Sequence, residues 1–232
     1  MKTLSAAEHA TLVRDATVLS RDVHGVKVVQ CPDGRIVKFF RRKRLVSSAL
    51  LWPYAVRFER AARRLRERGI RCPEVEALYW IPSVRRHAVV YPRIEGTPLR
   101  DALARGPSER EERLSQLARH LAALHERGVY FRSAHFGNFL VDGGPEPVMI
   151  DITDVRFHRG PVAPARRASN FRALLRYAAD VEALRAFGPA RFVRDYLEAA
   201  TMSAREQGRF LGRLSGIDPL FRQETALESA RR

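Results

Sequence analysis

A long amphipathic run, a polar loop and two brief apolar runs occupy residues 108–154, and no other stretch restricts the fold as much. Leu114, Leu117, Ala118, Leu121 and Leu124 recur at helical spacing and stop at Gly128. Ser108 and Glu111 have the spacing of a capping box, which predicts the helix start there. Phe139–Val141 and Val148–Ile150 read as the strands of a hairpin, joined by a loop that includes Asp142-Gly143-Gly144-Pro145. Such a hairpin sets Asn138, at the entry of the first strand, close to Asp151, at the end of the second. An amide oxygen and a carboxylate are hard ligands of the sort Mg²⁺ takes alongside phosphate oxygens.

The N-terminal third has a different grain. Residues 1–22 read as an irregular or helical lead-in. Val23–Gln30 and Arg35–Phe40 are β-prone runs separated by Cys31-Pro32-Asp33-Gly34, a strong turn signal that predicts an antiparallel hairpin. Phe58, Ala61, Ala62 and Leu65 then place a helix over about Tyr54–Arg68, stopped by Gly69. Two further strands, Val75–Ile81 and His87–Tyr91, complete a β-β-α-β-β order. Lys38 stands in the apolar strand Arg35–Phe40, where an ammonium is costly unless paired. Glu59, one turn into the next helix, is its expected partner. Pro92–Pro98, with Gly96, reads as a hinge, giving domains 1–92 and 93–232. From about Pro164 onward the pattern is helical, and Glu224–Arg232 is expected to fray.

The 232 residues suffice for one two-lobed domain or two small ones. Lysine occurs only at Lys2, Lys27, Lys38 and Lys43, so the formal net charge of +16 is carried mostly by arginine. A positive surface of that size suits an acidic partner: nucleic acid, anionic lipid or a phosphorylated glycolipid. No DNA- or RNA-binding motif accompanies it, so no specific nucleic-acid partner is expected. Apolar runs are all shorter than the roughly 20 residues of a membrane span. Charges occupy the N-terminus where a signal peptide has its apolar core, so a cytoplasmic location is expected. Cys31 and Cys72 lack CxxC spacing and are expected to be reduced thiols.

Tyr130-Phe131-Arg132-Ser133-Ala134-His135-Phe136-Gly137-Asn138, followed by Ile150-Asp151-Ile152-Thr153, resembles the catalytic segments of the protein-kinase-like superfamily. Within it, the segment is similar to the lipopolysaccharide core (Kdo and heptose) kinases and their toluene-tolerance subgroup, whose wording Y-F-R-S-x-H-x-G-N it matches. Kinases carry H-R-D-x-x-x-x-N and then D-F-G. Asn138 matches the metal-binding Asn, Asp151 the DFG Asp and Arg132 the Arg of HRD. His135 matches the His of small-molecule kinases of this fold. Lys38 and Glu59 match the strand lysine and helix glutamate. Gly25 is all that stands for a glycine-rich loop. The resemblance departs at three positions. Ser133 replaces the catalytic Asp, Phe131 the HRD His and Thr153 the DFG Gly.

The resemblance implies an α+β, bilobal fold with a β-rich N-lobe carrying one main helix and a mostly helical C-lobe. It implies ATP and Mg²⁺ as cofactors. Lys38, Glu59 and Gly25 then serve the nucleotide, Asn138 and Asp151 the metal, and Ser133, His135 and Arg132 the transfer. The implied acceptor is a sugar hydroxyl of lipopolysaccharide core or a related anionic glycolipid, at the inner face of the cytoplasmic membrane. Phosphoryl transfer depends mainly on positioning and charge neutralisation, so Ser133 does not by itself abolish it. Its alternative is a catalytically impaired pseudokinase that binds nucleotide or a partner. Asp154 is open as a second metal carboxylate, a substitute base or an Asx-turn residue. Arg41–Arg44 is open as a solvated surface run or as a patch for anionic membrane lipid or the phosphorylated core of the substrate, and Leu50–Tyr54 beside it as a shallow, peripheral membrane contact. Trp52 and Trp80 read as packing residues.

Overall fold

The computed structural model describes residues 1–41 and 53–222. The basic residues Arg42, Lys43 and Arg44, the run Leu50–Trp52 and the expected frayed end from Glu224 lie outside the described residues. The chain divides into two compact units, Met1–Glu95 and Gly96–Arg232.

In the first unit, β1 (Lys2–Thr3), α1 (Ala6–Leu12) and β2 (Thr17–Asp22) precede the expected hairpin of β3 (Gly25–Gln30) and β4 (Arg35–Arg41). The main helix α2 (Tyr54–Arg66) follows, then β5 (Ala77–Ile81) and β6 (Arg86–Pro92). All six strands form one sheet in the order β1-β5-β6-β4-β3-β2, with β1 parallel to β5 and the other pairs antiparallel. Residues 1–22 therefore correct the expectation of an irregular or helical lead-in. Ser5 and Glu8 form a reciprocal capping box that starts α1. Thr17–Asp22 pairs with β3 despite exposing most of its side chains, so its strand state comes from backbone pairing at the sheet edge and not from an apolar pattern.

Alternation along β4 splits the unit into two faces. Val37 and Phe39 join Leu4, Val29, Cys31, Ile81, Ala88 and Val90 in one core cluster, which α1 covers through Leu12. Lys38 and Phe40 alternate with them, toward Phe58 of α2. The α2 stripe Phe58, Ala61, Ala62 and Leu65 is buried as its spacing predicts, together with Ala55.

The second unit runs β7 (Thr97–Pro98), α3 (Leu99–Ala102), α4 (Pro107–Glu126), β8 (Val129–Phe131), β9 (Phe139–Val141), β10 (Val148–Met149) and β11 (Val155–Phe157). Helices α5 (Pro164–Asn170), α6 (Ala178–Phe187), α7 (Pro189–Ala199) and α8 (Ala204–Leu214) complete it. Small sheets β10-β9-β7 and β11-β8 sit among these helices. The α+β class is thus the expected one, with a β-rich first unit and a mostly helical second.

The Ser108–Glu111 capping box does not form. Gly106 is the N-cap and Pro107 takes the first helical position, where its fixed φ and missing N–H cost nothing, so Ser108 already lies inside the helix. The box at this end of the chain is Ser203/Glu206, which starts α8. The α4 stripe Leu114, Leu117, Ala118, Leu121 and Leu124 is fully buried, as its periodicity predicts. Gly128 has φ +71°, and a Cβ there would sit 2.6 Å from the Gly160 carbonyl oxygen. Only glycine allows the chain to turn from α4 into β8 that close to the end of β11.

The helical core centres on Phe171, whose ring packs edge-on against Phe192, Tyr196, Phe210 and Phe221 at 5.2–5.9 Å. Beside it, the Tyr196 hydroxyl donates to His125 Nδ1 at 2.8 Å. His125 Nε2 lies 3.0 Å from Asn170 Oδ1. Asn170 Nδ2 in turn donates to the Phe131 carbonyl at 2.6 Å. The amide nitrogen is thereby committed, so Oδ1 is the acceptor and His125 carries its proton on Nε2.

Burial drives His120 and His125 down to about 4. Their folded values lie below the unfolded one near 6.5. The stabilisation is complete above pH 6.5 and is lost as pH falls toward 4. In that window stability is expected to fall by about 1.4 kcal/mol per pH unit for each imidazole. Urea denaturation across pH 4–7 checks this, and His125→Gln is expected to flatten the slope.

Candidate functional site

The polar loop after β8 is held by backbone bonds within it and by side-chain bonds at its anchors. Ala134 N–H donates to the Phe131 carbonyl at 3.2 Å, His135 N–H to Ser133 at 2.8 Å and Asn138 N–H to His135 at 2.9 Å. Phe136 and Phe139 are buried beneath it. Its deepest anchor is Asp180, at the start of α6 and fully buried. One carboxylate oxygen takes the Phe136 N–H at 3.1 Å. Both oxygens meet Arg100 of α3, through Nε at 2.6 Å and Nη2 at 3.0 Å. This bidentate pairing fixes the carboxylate orientation as well as its charge.

Asn138 and Asp151 come together as the hairpin predicts. Ile150 N–H donates to the Asn138 carbonyl at 2.9 Å, and β9 pairs antiparallel with β10. Asn138 Nδ2 donates to the Ser133 carbonyl at 2.8 Å, which leaves the side-chain carbonyl oxygen as the group on offer. Asp151 adopts φ +52°, a left-handed conformation uncommon outside glycine, immediately before a short 3₁₀ turn at Ile152–Asp154. Among the described residues, no group of three or more His, Cys, Asp or Glu side chains is placed to hold a metal ion. The donor set fits Mg²⁺ in the manner of a nucleotide site. One carboxylate and one amide oxygen would serve, with water and phosphate oxygens completing the octahedron.

Ser133 Oγ donates to Asp154 Oδ2 at 3.4 Å, and Arg132 N–H donates to the Asp154 carbonyl at 3.3 Å. An exposed carboxylate thus stands beside the position where the resemblance expects a catalytic Asp. The Arg132 side chain is exposed. His135 packs its ring edge-on against Tyr177 at 4.9 Å. Its Nδ1 is buried and has no hydrogen-bond partner among the described residues. Burial, reinforced by Arg100, lowers its pKa, which favours the neutral imidazole.

In the first unit Lys38 is 5% exposed. Its Nζ lies 5.3 Å from the Phe58 ring centre and 5.7 Å from that of Phe40. Desolvating an ammonium costs several kcal/mol. Each desolvated ring contact returns about 2 kcal/mol, so the two rings offset part of that cost. Glu59 borders the buried stripe of α2 and forms an ion pair with Arg63 along the same helix at 3.9 Å. Gly25 opens β3 with φ +106°. The turn before it is braced by the Arg86 guanidinium, which donates to the His24 and Val26 carbonyls.

Asp180, Arg100 and Tyr177 escaped the sequence reading. An Asp near a helix start reads as an ordinary capping residue. Only its complete burial, 44 residues beyond the amide it accepts from, sets it apart.

No protein-family model matches the chain, and no curated protein matches it. Solved structures do resemble it. One is a divergent Toxoplasma kinase lacking the glycine-rich loop, which regulates membrane ultrastructure of the parasitophorous vacuole. It is 16% identical over 82% of this chain and 71% of its own, with a TM-score of 0.47. Another is the bifunctional kinase-methyltransferase WbdD, 18% identical over 81% of this chain, with a TM-score of 0.45. This chain spans 46% of the length of that protein. At these values neither likeness assigns a role to any residue here.

Removing the Asp180 carboxylate strands Arg100 and the Phe136 N–H together. Asp180→Ala is expected to cost about 3 kcal/mol, since one partner of a buried pair is left uncompensated. Asp180→Asn, which keeps an acceptor for Phe136, is expected to cost less. Urea denaturation of both variants checks the order.

Proposed function

We propose that this chain is a kinase-like phosphotransferase that uses Mg·ATP to phosphorylate a sugar hydroxyl of an anionic glycolipid of the lipopolysaccharide-core type. The pairing of Asn138 with Asp151 carries the reading. The hairpin backbone brings the two residues near each other, Asn138 with its amide nitrogen tied to backbone and Asp151 in a left-handed conformation.

In this reading Lys38 holds the α- and β-phosphates, Glu59 and Gly25 support the nucleotide, and Asn138 and Asp151 hold Mg²⁺. A bound divalent ion supplies charge neutralisation on the phosphate oxygens. Asp154, which already accepts the Ser133 hydroxyl proton's hydrogen bond, takes the acceptor proton in place of the missing catalytic Asp. His135, neutral and fixed against Tyr177, orients the acceptor, and Arg132 meets the moving phosphoryl group. The net charge of +16 suits an anionic acceptor and a peripheral position at the inner membrane face. Among the described residues, no helix is long and apolar enough to cross a membrane.

Ser133 at the base position favours a second reading, a pseudokinase that binds nucleotide without transfer. Calorimetry with Mg·ATP tests what the two share. Lys38→Ala and Asp151→Ala are each expected to weaken binding at least about tenfold. Unchanged binding by both variants would overturn the proposal. Turnover of labelled ATP with purified core oligosaccharide separates the readings. If transfer occurs, Asp154→Asn is expected to lower kcat by about 10²-fold or more, and Ser133→Ala by only a few-fold.

A further inference from the structure

The first unit contains a cavity of about 530 Å³ that the phosphotransfer reading does not use. Its wall includes Ala16, Val29 and Phe39. Phe39 belongs to the β4 face opposite Lys38, so the cavity lies across the sheet from the proposed phosphate-holding ammonium, while Arg86 in its lining also braces the turn at Gly25. The volume falls within the roughly 300–1,000 Å³ of small-molecule sites, which are mostly apolar with a few placed polar groups.

Two polar side chains line it, His9 and Arg86. His9 is held edge-on against Phe39 at 5.9 Å, and burial lowers its pKa, so it contributes a neutral ring. Among the described residues, Arg86 is the one full charge in the lining. Its bonds to the His24 and Val26 carbonyls engage two of its five N–H groups, leaving donors for a ligand. Among the described residues, no carboxylate lines the cavity. Some of its apolar lining is exposed. Val18 and Val84 line the cavity at 38% and 42% exposure. Exposed apolar side chains at the rim of an apolar hollow suit a ligand with a hydrocarbon part.

We propose that this cavity binds a single-chain fatty carboxylate, its hydrocarbon chain against Ala16, Val29 and Phe39 and its head group on Arg86. A mostly apolar wall disfavours a wholly polar metabolite, and the Arg86 guanidinium selects an anionic head over a neutral one.

Calorimetry of the full chain with sodium laurate below its micellar concentration tests this, with monolaurin as the uncharged control. One laurate per chain is expected, bound more tightly than monolaurin. Ala16→Phe fills the hollow, and Val84→Asp sets a negative charge at its exposed mouth. Each is expected to weaken laurate at least about tenfold. Arg86→Gln is expected to abolish the preference over monolaurin. Circular dichroism follows folding, and Val84→Asp, at an exposed position, keeps the test valid if Ala16→Phe unfolds. Non-saturable laurate uptake overturns the proposal, as does uptake unchanged by Val84→Asp. Sedimentation with phosphatidylglycerol vesicles without laurate binding, or a dimer that Val84→Asp dissolves without laurate binding, also overturns it. None of these readouts involves ATP, so they stand or fall apart from the phosphotransferase assignment.

Discussion

The second unit is organised around one buried carboxylate. Asp180 lies at the start of α6, with no solvent to stabilise its charge, and three donors meet it: two from Arg100 and one from the Phe136 backbone. A carboxylate in that position is stable only if all its partners arrive together. It therefore ties α3, α6 and the polar loop into one arrangement. His125 does the same from the other side, joining α4, α5 and α7 to the last residue of β8 through Tyr196, Asn170 and the Phe131 carbonyl. Between these anchors the loop from Arg132 to Asn138 has little freedom, although it has almost no regular secondary structure. Its rigidity is borrowed from the helical core.

The first unit solves a different problem. A strand that carries an ammonium between valine and phenylalanine must send alternate side chains to two environments. Val37 and Phe39 enter the core under α1, while Lys38 and Phe40 turn to the aromatic side of α2. The sheet thereby acquires two unlike faces. One presents a nearly buried cation flanked by rings. The other closes over an apolar hollow whose lining contains a guanidinium. The same alternation thus creates both features for which a ligand is proposed.

Much of the frame was legible in the residue order. The α4 stripe, the α2 stripe, the turn at Pro32–Gly34 and the pairing of Phe139–Val141 with Val148–Met149 all follow from periodicity and turn chemistry, which are local. The same local rules misplaced the start of α4. Ser108 and Glu111 have the right spacing, but Pro107 before them suits the first helical position better. They also missed β2, whose exposed side chains carry no apolar alternation and whose strand state depends on β3 beside it. Tyr130 and Phe131 read as the start of a loop and instead form β8, because β11 pairs with it from more than twenty residues away.

What the sequence determined by itself was the chemistry on offer: a lysine in an apolar strand, an asparagine and an aspartate at the two ends of a hairpin, and a serine where a kinase-like segment carries its acid. These are properties of residue type and short spacing. Tertiary structure alone decided which groups stand beside them. It set Asp154 next to Ser133, turned the Asn138 amide nitrogen inward and buried Asp180 against an amide 44 residues earlier in the chain. The reason is physical. Burial and long-range hydrogen bonding depend on what the whole chain packs around a residue, and no local pattern encodes that.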